Sequence, residues 1–535
     1  MLRIAIAQIN CVVGDIPGNV ARIRAAAESA RAQGAHLLVT PELALTGYPP
    51  EDLLLRPDFL RACDAHLHEL ARALAGIDVL VGHPQADAGS TYNCASLLSR
   101  GAVRATYQKF RLPNYEVFDE ERYFRSGTEP CVVEVHGVKV GVLVCADVWE
   151  PGAAEAAEDA GAELLAVLNA SPYHMDKLAT RYEVLRERIG RTGLPVVYAN
   201  LVGGQDELVF DGASFGLTRK GDLAFQAPAF RECVMCGVYA DGDLQPGERT
   251  PVRPIEADVY DALCLGVRDY LGKNGFPGGI IGLSGGIDSA LTVAIAVDAL
   301  GADRVRAVMM PSPYTAQMSL DDSRDMVARL NVRYDEIGIA PAMSTIEAML
   351  APQFHGLAAD TTEENLQSRI RGVLLMALSN KTGSIVLTTG NKSEMATGYA
   401  TLYGDMAGGF AVIKDIFKTF VYRLANYRNS LEPVIPQNII VRPPSAELKP
   451  GQVDQDTLPP YEVLDAIIKA YMECDESPAE IVARGYDAAT VARVVSMLKR
   501  NEYKRRQAPP GVRVTRRGFG KDWRYPITNR YTDAQ

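Results

Sequence analysis

The chain has 535 residues, which is too long for a single hydrophobic core, so two or three domains are expected. Hydrophobic and charged contents are those of ordinary globular proteins, and no apolar run is long enough to cross a bilayer. The formal charge of −11 argues against a general nucleic-acid binder, so neither nucleic acid nor a membrane is an expected partner. Nine scattered cysteines and the lack of a signal-peptide pattern predict a cytoplasmic protein without a disulfide framework.

The first half of the chain alternates short apolar strands with amphipathic helices, a pattern that predicts an α/β domain. The predicted strands are residues 3–9, 37–40, 79–82, 139–144, 164–168 and 196–199. The predicted helices between them are residues 19–31 and 60–74.

The α/β pattern stops near residue 240, where the chain becomes polar and rich in Pro and Gly. We therefore expect a first domain at 1–245, a linker at 246–257 and a second domain at 258–535. The second domain begins with a helix and alternates again, with strands at 305–310 and 384–387 and helices near 320–330 and 366–379. This order predicts a mostly parallel sheet.

A glycine-rich segment lies where the apolar run 279–281 meets the helical stretch 290–300. Such a strand-to-helix turn points backbone N–H groups and the positive end of the helix dipole at one spot, which favours a bound phosphate. The segment lacks the Gly-Lys-Ser/Thr ending of a Walker A loop. It resembles instead the phosphate loop of ATP pyrophosphatases, which split ATP into AMP and pyrophosphate. The resemblance assigns ATP contacts to Gly282, Leu283, Ser284, Gly285, Gly286, Ile287, Asp288 and Ser289.

Three residues of the first half are candidates for nucleophilic catalysis. Glu42 and Cys145 each follow a predicted strand, and Lys109 lies in a separate polar segment. In open α/β folds, reactive groups gather at the carboxyl ends of strands. A cysteine there, with a base and a cation nearby, can act as a thiolate nucleophile, although a lone cysteine in this position is more often a small buried residue.

The segments around these residues resemble, in the same order, the Glu-Lys-Cys triad of the nitrilase amidase superfamily over residues 1–240. The resemblance implies that Cys145 attacks an amide carbonyl, Glu42 acts as general base and Lys109 stabilises the oxyanion. Glu116 matches a further carboxylate of that family, and its alternative is a solvated loop glutamate. Ala146 stands where many members have glutamate, a position at which amidase subgroups vary.

An amidase joined to an ATP pyrophosphatase suggests an amidotransferase that takes nitrogen from glutamine. Nearly end to end, the chain resembles the glutamine-dependent NAD synthetase family, for which residues 41–54 (PELALTGYPPEDLL) are a strong marker. The resemblance implies an α/β fold with an N-terminal nitrilase-like α-β-β-α sandwich and a C-terminal Rossmann-like domain with a parallel sheet. It also implies a ligase that amidates deamido-NAD+ through an adenylate, with Mg2+ as cofactor, ATP and L-glutamine as further substrates, an ammonia tunnel and a homo-oligomer such as an octamer.

The same resemblance assigns further contacts. Glutamine contacts are Tyr115, Ser171 and Lys177. Additional ATP contacts are Thr389, Lys414 and Ser445. Deamido-NAD+ contacts are Asn365, Arg371, Glu394, Asp405 and Lys504, and Mg2+ contacts are Asp288 and Glu394. Arg369 shares a predicted helix face with Asn365, so the sequence leaves open which of Arg369 and Arg371 meets the substrate, and either can be a plain surface charge.

Other interpretations fit less well. A basic tail begins at Lys499 and is typical of a nucleic-acid arm, but it also resembles the closing segment of the synthetase family. An asparagine-synthetase type needs cysteine where Leu2 stands, and a tRNA-thiolating enzyme needs a cysteine pair where only Cys264 lies close. A nucleotide sensor with inactive sites would show a broken triad or phosphate loop, and both are complete. Cys233 and Cys236 have no second ligand pair nearby and are read as a chance pair.

Overall fold

The computed structural model describes residues 1–449 and 451–531. The chain divides into two units, Met1–Arg253 and Pro254–Gln535, each with its own dense internal contacts. Over the described residues, none of the helices combines the length and the apolar character that crossing a bilayer requires.

The first unit contains fifteen strands and four α-helices among its described residues. The strands are β1 (Leu2–Gln8), β2 (Leu37–Val39), β3 (Asp78–Asp87), β4 (Ser90–Ser99), β5 (Ala102–Gln108), β6 (Val132–Val135), β7 (Val138–Val144), β8 (Leu164–Asn169), β9 (Val196–Asn200), β10 (Val202–Gln205), β11 (Leu208–Asp211), β12 (Phe215–Leu217), β13 (Leu223–Gln226), β14 (Cys233–Ala240) and β15 (Asp243–Leu244). The helices are α1 (Ile16–Ala32), α2 (Pro57–Ala73), α3 (Ala153–Asp159) and α4 (Lys177–Thr192). Short 3-10 helices span Glu51–Leu55, Glu120–Arg122 and Cys145–Val148.

Two sheets of the first unit pack against each other. The larger has the order β15-β14-β1-β2-β3-β4-β5 and the smaller the order β13-β12-β9-β8-β7-β6. Alternate residues of β1 pack into different layers of the domain, because successive side chains on a strand point to opposite faces. Ile4 and Ile6 join the core shared with the second sheet, and Ala5 and Ala7 pack with α1 and α2. The predicted α-β-β-α sandwich is confirmed.

The central strands of both sheets are parallel and match the sequence prediction, whereas the flanking strands were missed. β1 pairs in parallel with β2, and β7 and β9 pair in parallel with β8. The prediction ends β3 at residue 82, but β3 continues to Asp87 and returns antiparallel as β4. The missed segments carry polar residues that mask a strand pattern. Cys233 and Cys236 are free thiols three positions apart on β14, so their side chains leave opposite faces of the strand.

The second unit has a smaller sheet and many helices. Its strands are β16 (Gly279–Gly282), β17 (Val305–Met309), β18 (Arg333–Glu336), β19 (Ile385–Thr388) and β20 (Phe410–Ala411). The helices are α5 (Ile255–Lys273), α6 (Ile287–Leu300), α7 (Gln317–Leu330), α8 (Ala340–Phe354), α9 (Thr361–Thr382), α10 (Lys392–Thr397), α11 (Lys418–Leu431), α12 (Gln437–Val441), α13 (Tyr461–Glu473), α14 (Pro478–Ala483), α15 (Ala488–Arg500) and α16 (Glu502–Arg505). Short 3-10 helices span Ala302–Arg304 and Asp454–Asp456.

The five-stranded sheet has the order β18-β17-β16-β19-β20, and every pairing in it is parallel. The strand order reverses between β16 and β19, so this is a doubly wound, Rossmann-like sheet as predicted. In such sheets ligands bind outside the carboxyl ends of the strands where the order reverses. Both predicted ATP loops follow these two strands, the first after Gly282 and the second after Thr388.

The packing between the two sheets of the first unit gives a stability prediction. The buried Phe225 ring lies against Gly237 of β14, where an added Cβ would be 2.2 Å from the ring. We expect Gly237→Ala to destabilise the unit by about 1–3 kcal/mol, because the ring cannot move within a packed core. Gly190→Ala is the matched control, since Gly190 is an exposed position of α4 with open space around it. Urea unfolding should show a lower midpoint for Gly237→Ala and an unchanged or higher one for Gly190→Ala; equal midpoints would contradict the packing.

Candidate functional site

The first candidate site is built around a sharp turn that follows β7. Cys145 begins this turn with a φ of +43°, a left-handed conformation that is strained for a residue with a side chain. The Asp147 carboxylate fixes the turn by accepting the backbone N–H of Val144 at 2.9 Å. It also accepts the backbone N–H groups of Phe110 and Arg111 at 3.0 and 2.8 Å. One buried carboxylate therefore holds the cysteine turn against the segment that follows Lys109.

The three predicted catalytic residues meet in the interior of the unit. Lys109 Nζ donates to Glu42 Oε1 at 2.6 Å, and both side chains are fully buried. The Cys145 thiol lies close enough to Glu42 and Lys109 for both charges to shift its pKa. Burial, followed by the charge of Glu42, raises the pKa of this thiol well above its ordinary value, while Lys109 acts in the opposite direction. The thiol is therefore protonated at neutral pH and has a carboxylate base at hand.

A fourth residue, Glu120, belongs to this site and was missed in the sequence. Lys109 Nζ donates to both oxygens of Glu120 at 2.8 and 2.9 Å, and the Tyr48 hydroxyl donates to it at 3.0 Å. Burial raises the pKa of Glu120 to about 7 in spite of the nearby ammonium. Glu120 thus lies beside the triad, in the place that the resemblance assigned to Glu116. It belongs to a run of acidic residues, and nothing in the sequence distinguishes it from its neighbours. Glu116 lies half-buried in the loop before it.

Two of the predicted glutamine contacts lie close to the triad. Ser171 is buried just after β8, and its hydroxyl accepts from Arg181 Nε at 3.3 Å. Burial raises the pKa of Tyr115 to about 12, and the proximity of Cys145 contributes to this rise. Lys177, the third predicted contact, opens α4 with its ammonium 4.1 Å from the centre of the Trp149 ring.

The second candidate site is a cavity of about 560 Å³ in the second unit. The phosphate loop connects β16 to α6, and Gly285 takes a φ of +81° that only glycine adopts readily. An added Cβ at Gly285 would lie 2.7 Å from the Ser319 backbone carbonyl, so glycine also permits close packing here. The cavity is lined by the following predicted residues: Gly282, Leu283, Ser284, Gly286, Ile287, Asp288, Ser289, Asn365, Arg371, Thr389, Glu394, Asp405, Ser445 and Lys504.

Two carboxylates and a lysine lie together in the lining of this cavity. Asp288 lies in the first turn of α6 and accepts from Lys418 Nζ and, at 2.9 Å, from Asn391 Nδ2. Glu394 Oε1 lies 4.0 Å from the same Lys418 ammonium. Burial, followed by the charge of Asp288, raises the pKa of Glu394 well above its ordinary value. Two close carboxylates with this mutual repulsion are suited to a hard cation.

Two predicted ATP contacts, Gly285 and Lys414, do not line the cavity. Lys414 is buried and donates to the Pro509 carbonyl at 2.9 Å, outside the cavity lining. Lys418, four residues later, does line the cavity, and the sequence analysis missed it. Of the two arginines on α9, Arg371 lines the cavity, whereas Arg369 donates to the Leu402 carbonyl at 3.2 Å.

The remaining cavity residues are held by their neighbours. Asn365 accepts from the Thr401 hydroxyl at 2.8 Å, and Asp405 accepts from the Thr401 backbone N–H at 2.7 Å. Lys504 donates to the Gly398 and Ala400 carbonyls at 2.7 Å. Over residues 1–449 and 451–531, no three His, Cys, Asp or Glu side chains form a metal-binding cluster. The Asp288–Glu394 pair still suits Mg2+, which commonly takes one or two carboxylates beside phosphate oxygens.

The fold and the two sites define a two-part protein, a carbon–nitrogen hydrolase joined to an NAD synthase. The carbon-nitrogen hydrolase family model matches residues 3–246, and the NAD synthase family model matches residues 259–508. The glutamine-dependent NAD(+) synthetases of Xylella fastidiosa (strain 9a5c) and Acinetobacter baylyi are 50% and 46% identical to this chain, covering 99% and 98% of each sequence respectively. The chain belongs to the glutamine-dependent NAD+ synthetase family.

A solved structure has the same fold over the whole chain. It is the glutamine-dependent NAD+ synthetase of Acinetobacter baumannii in complex with adenosine diphosphate, with 44% identity, a TM-score of 0.81 and full coverage of both chains.

The buried ammonium of the first site gives a second prediction. We expect Lys109→Met to destabilise the first unit by about 3–5 kcal/mol, because two buried carboxylates lose their shared partner. The double variant Lys109→Met/Glu120→Gln should lose less stability than Lys109→Met, since the side chain at position 120 is then neutral. Lys220→Met, at an exposed lysine, is the control, and its free energy of unfolding should stay within about 0.5 kcal/mol of the wild type.

The pH dependence of this loss follows from the raised pKa of Glu120, which burial already brings to about 7. In the folded variant Glu120 still holds its proton at pH values where the same group in the unfolded chain has lost it. The folded state therefore binds more protons over this interval, and its free energy of unfolding rises as the pH falls. Urea unfolding at pH 8 and pH 6 should show the larger deficit of Lys109→Met at pH 8. An equal deficit at both pH values would argue against the buried charge as its cause.

Proposed function

We propose that this chain is a glutamine-dependent carbon–nitrogen ligase that converts deamido-NAD+, ATP and L-glutamine into NAD+, AMP, diphosphate and L-glutamate. The observation that carries this proposal is the presence, in one chain, of an assembled Glu-Lys-Cys site and an ATP-type phosphate loop facing a large cavity. Relatives named for this activity cover nearly the whole length of the chain.

The first half-reaction releases ammonia. Cys145 Sγ attacks the side-chain amide carbon of glutamine while its proton passes to Glu42, and Lys109 Nζ stabilises the oxyanion that forms. Collapse of the tetrahedral intermediate breaks the C–N bond, and the proton held by Glu42 leaves with ammonia. Water that loses a proton to Glu42 then attacks the thioester, which frees glutamate and restores the thiol. Tyr115, Ser171 and Lys177 would hold the amino-acid end of the substrate.

The raised pKa of the Cys145 thiol explains why a base is needed at this site. A thiol that stays protonated at neutral pH is a weak nucleophile until a carboxylate takes its proton. The proton therefore moves as the new C–S bond forms, which makes Glu42 essential for the first chemical step.

The second half-reaction activates a carboxylate. An oxygen of the nicotinate carboxylate attacks the α-phosphorus of ATP, diphosphate leaves, and ammonia then displaces AMP from the mixed anhydride. The N–H groups of the phosphate loop and the N-terminus of α6 would bind the phosphates of ATP, and Lys418 would offset their charge. Asp288 and Glu394 would hold Mg2+, which neutralises phosphate charge when bound. Arg371 and Lys504 suit the dinucleotide, since both bring positive charge to the cavity lining.

Several finer points belong to the same proposal. The nine cysteines all lie among the described residues and are free thiols, which agrees with a reducing cytoplasm. Transfer of ammonia from the first active site to the second, and assembly into a homo-oligomer, also remain part of the proposal.

Replacing the nucleophile should separate the two half-reactions. We expect Cys145→Ala to lose glutamine-dependent NAD+ formation by on the order of 10³-fold or more, because nothing else can form the thioester. Ammonium-dependent NAD+ formation should remain, since the second site is unchanged. Cys131→Ala, a half-buried cysteine of the same unit, is the control and should keep both activities. Continued use of glutamine by Cys145→Ala would rule out Cys145 as the nucleophile, and no NAD+ from either nitrogen source in the wild type would refute the ligase function.

Replacing the carboxylate of the phosphate loop should give the opposite result. We expect Asp288→Asn to lower NAD+ formation from both glutamine and ammonium by on the order of 10²-fold or more, because charge neutralisation at the phosphates supplies much of the catalysis. Basal release of glutamate from glutamine should remain. Asp303→Asn, at an exposed aspartate, is the control. Full activity of Asp288→Asn at ordinary Mg2+ concentrations would exclude its metal role.

A further inference from the structure

We propose that Asn93 is a positioning residue for the glutaminase reaction, because its side chain fixes the general base so that one particular carboxylate oxygen faces the thiol. The inference rests on the proposed function, since it deepens the role of Glu42. Asn93 lies on β4, is almost completely buried, and is not one of the residues that the sequence analysis selected.

The hydrogen bonds of the Glu42 carboxylate are unevenly divided between its two oxygens. Oε1 accepts from Lys109 Nζ at 2.6 Å and from Asn93 Nδ2 at 2.8 Å. Oε2 accepts from the backbone N–H of Ala170 at 3.0 Å. A carboxylate oxygen has two lone-pair sites, so Oε1 is filled and Oε2 keeps one site for a further donor. The geometry therefore points to Oε2 as the oxygen that takes the proton of Cys145.

Asn93 also holds the lysine segment through its backbone. Its carbonyl oxygen accepts the backbone N–H of Lys109 at 2.9 Å. One residue thus bonds the carboxylate of the base with its side chain and the main chain of the oxyanion-stabilising residue with its carbonyl. A change in the Asn93 side chain alone would leave the second of these contacts in place.

The orientation of the Asn93 amide is set by Glu42. With Nδ2 directed at the carboxylate, Oδ1 is a buried acceptor that has no hydrogen-bond partner among the described residues. The flipped amide would place Oδ1 against the carboxylate oxygen, where two acceptors repel each other. Because Nδ2 donates to Glu42, Oδ1 stays buried without a partner, which is unfavourable by itself.

The groups around Glu42 explain why a neutral donor is useful. The charged or titratable groups facing it are Tyr48, Lys109, Glu120 and Cys145. Glu120 shares the lysine, so the attraction of that ammonium is divided between two carboxylates. Asn93 donates to Glu42 without adding a charge that would compete for the lysine.

The test compares Asn93→Ala, Asn93→Asp and the control Cys94→Ser in the full-length protein. Cys94 is the next residue of β4, and its side chain leaves the opposite face of the strand. Glutamine hydrolysis is measured as kcat/KM from pH 5 to pH 9, and ammonium-dependent NAD+ formation is measured in parallel as a report on the second site. Thermal unfolding shows which variants are folded.

We expect Asn93→Ala to lower kcat/KM for glutamine by about 10- to 100-fold, the effect of losing a hydrogen bond to a charged group. The acid limb of its pH profile should move to higher pH, because a carboxylate that loses a donor binds its proton more tightly. Asn93→Asp keeps the size of the side chain but adds a like charge, so its acid limb should move further. Cys94→Ser should match the wild type, and all three variants should keep ammonium-dependent synthesis.

Two results would overturn the inference. One is a kcat/KM for glutamine within about threefold of the wild type in Asn93→Ala or Asn93→Asp. The other is a lower kcat/KM with an unmoved acid limb, which indicates a packing role. If Asn93→Ala does not fold, the comparison between Asn93→Asp and the wild type decides the question in the same way. A wild type that hydrolyses no glutamine would refute the proposed function itself, so the two failures are distinguishable.

Discussion

The first unit is organised around one fully buried ammonium, that of Lys109, which lies between two carboxylates. Glu42 is bonded on one side and Glu120 on the other, and neither carboxylate has bulk water to stabilise its charge. A buried group of this kind is stable only when every charge is paired and hydrogen-bonded, so the surrounding segments must be placed accurately. The Cys145 turn, β4 and the carboxyl ends of β2 and β8 are all tied to this one arrangement.

The second unit contains a related arrangement of charges. Lys418 lies between Asp288 and Glu394, again at the carboxyl ends of parallel strands and again with a raised carboxyl pKa. The first cluster is buried, and the proposed mechanism moves protons within it. The second cluster opens into a cavity of about 560 Å³, where its excess negative charge can be met by a cation. The two sites therefore differ in access to the surroundings more than in the residue types that form them.

The sequence predicted the parts of the molecule in which one local pattern decides the structure. Apolar runs followed by Cys145 or by the phosphate loop were read correctly as strand ends, because both faces of such strands are buried. Antiparallel strands such as β4 and β5 were missed, since their partly polar residues make no clear pattern. The sequence pattern alone does not distinguish between charged residues within one stretch. Lys414 and Lys418 are the same residue type, but their side chains point in different directions. Only the three-dimensional path of the chain shows that Lys418 reaches the cavity and Lys414 does not.

The strand order of the second unit has a consequence for the growing chain. β16 ends at Gly282, whereas its neighbour β19 begins only at Ile385, after two other strands and four α-helices have been made. During synthesis the backbone edge of β16 that pairs with β19 emerges from the ribosome long before its partner strand. An unpaired strand edge can pair with other chains, so translation that stalls in this interval leaves a product prone to aggregation. The strand order that brings two distant loops to one cavity thus leaves one edge of β16 without its partner until β19 has been synthesised.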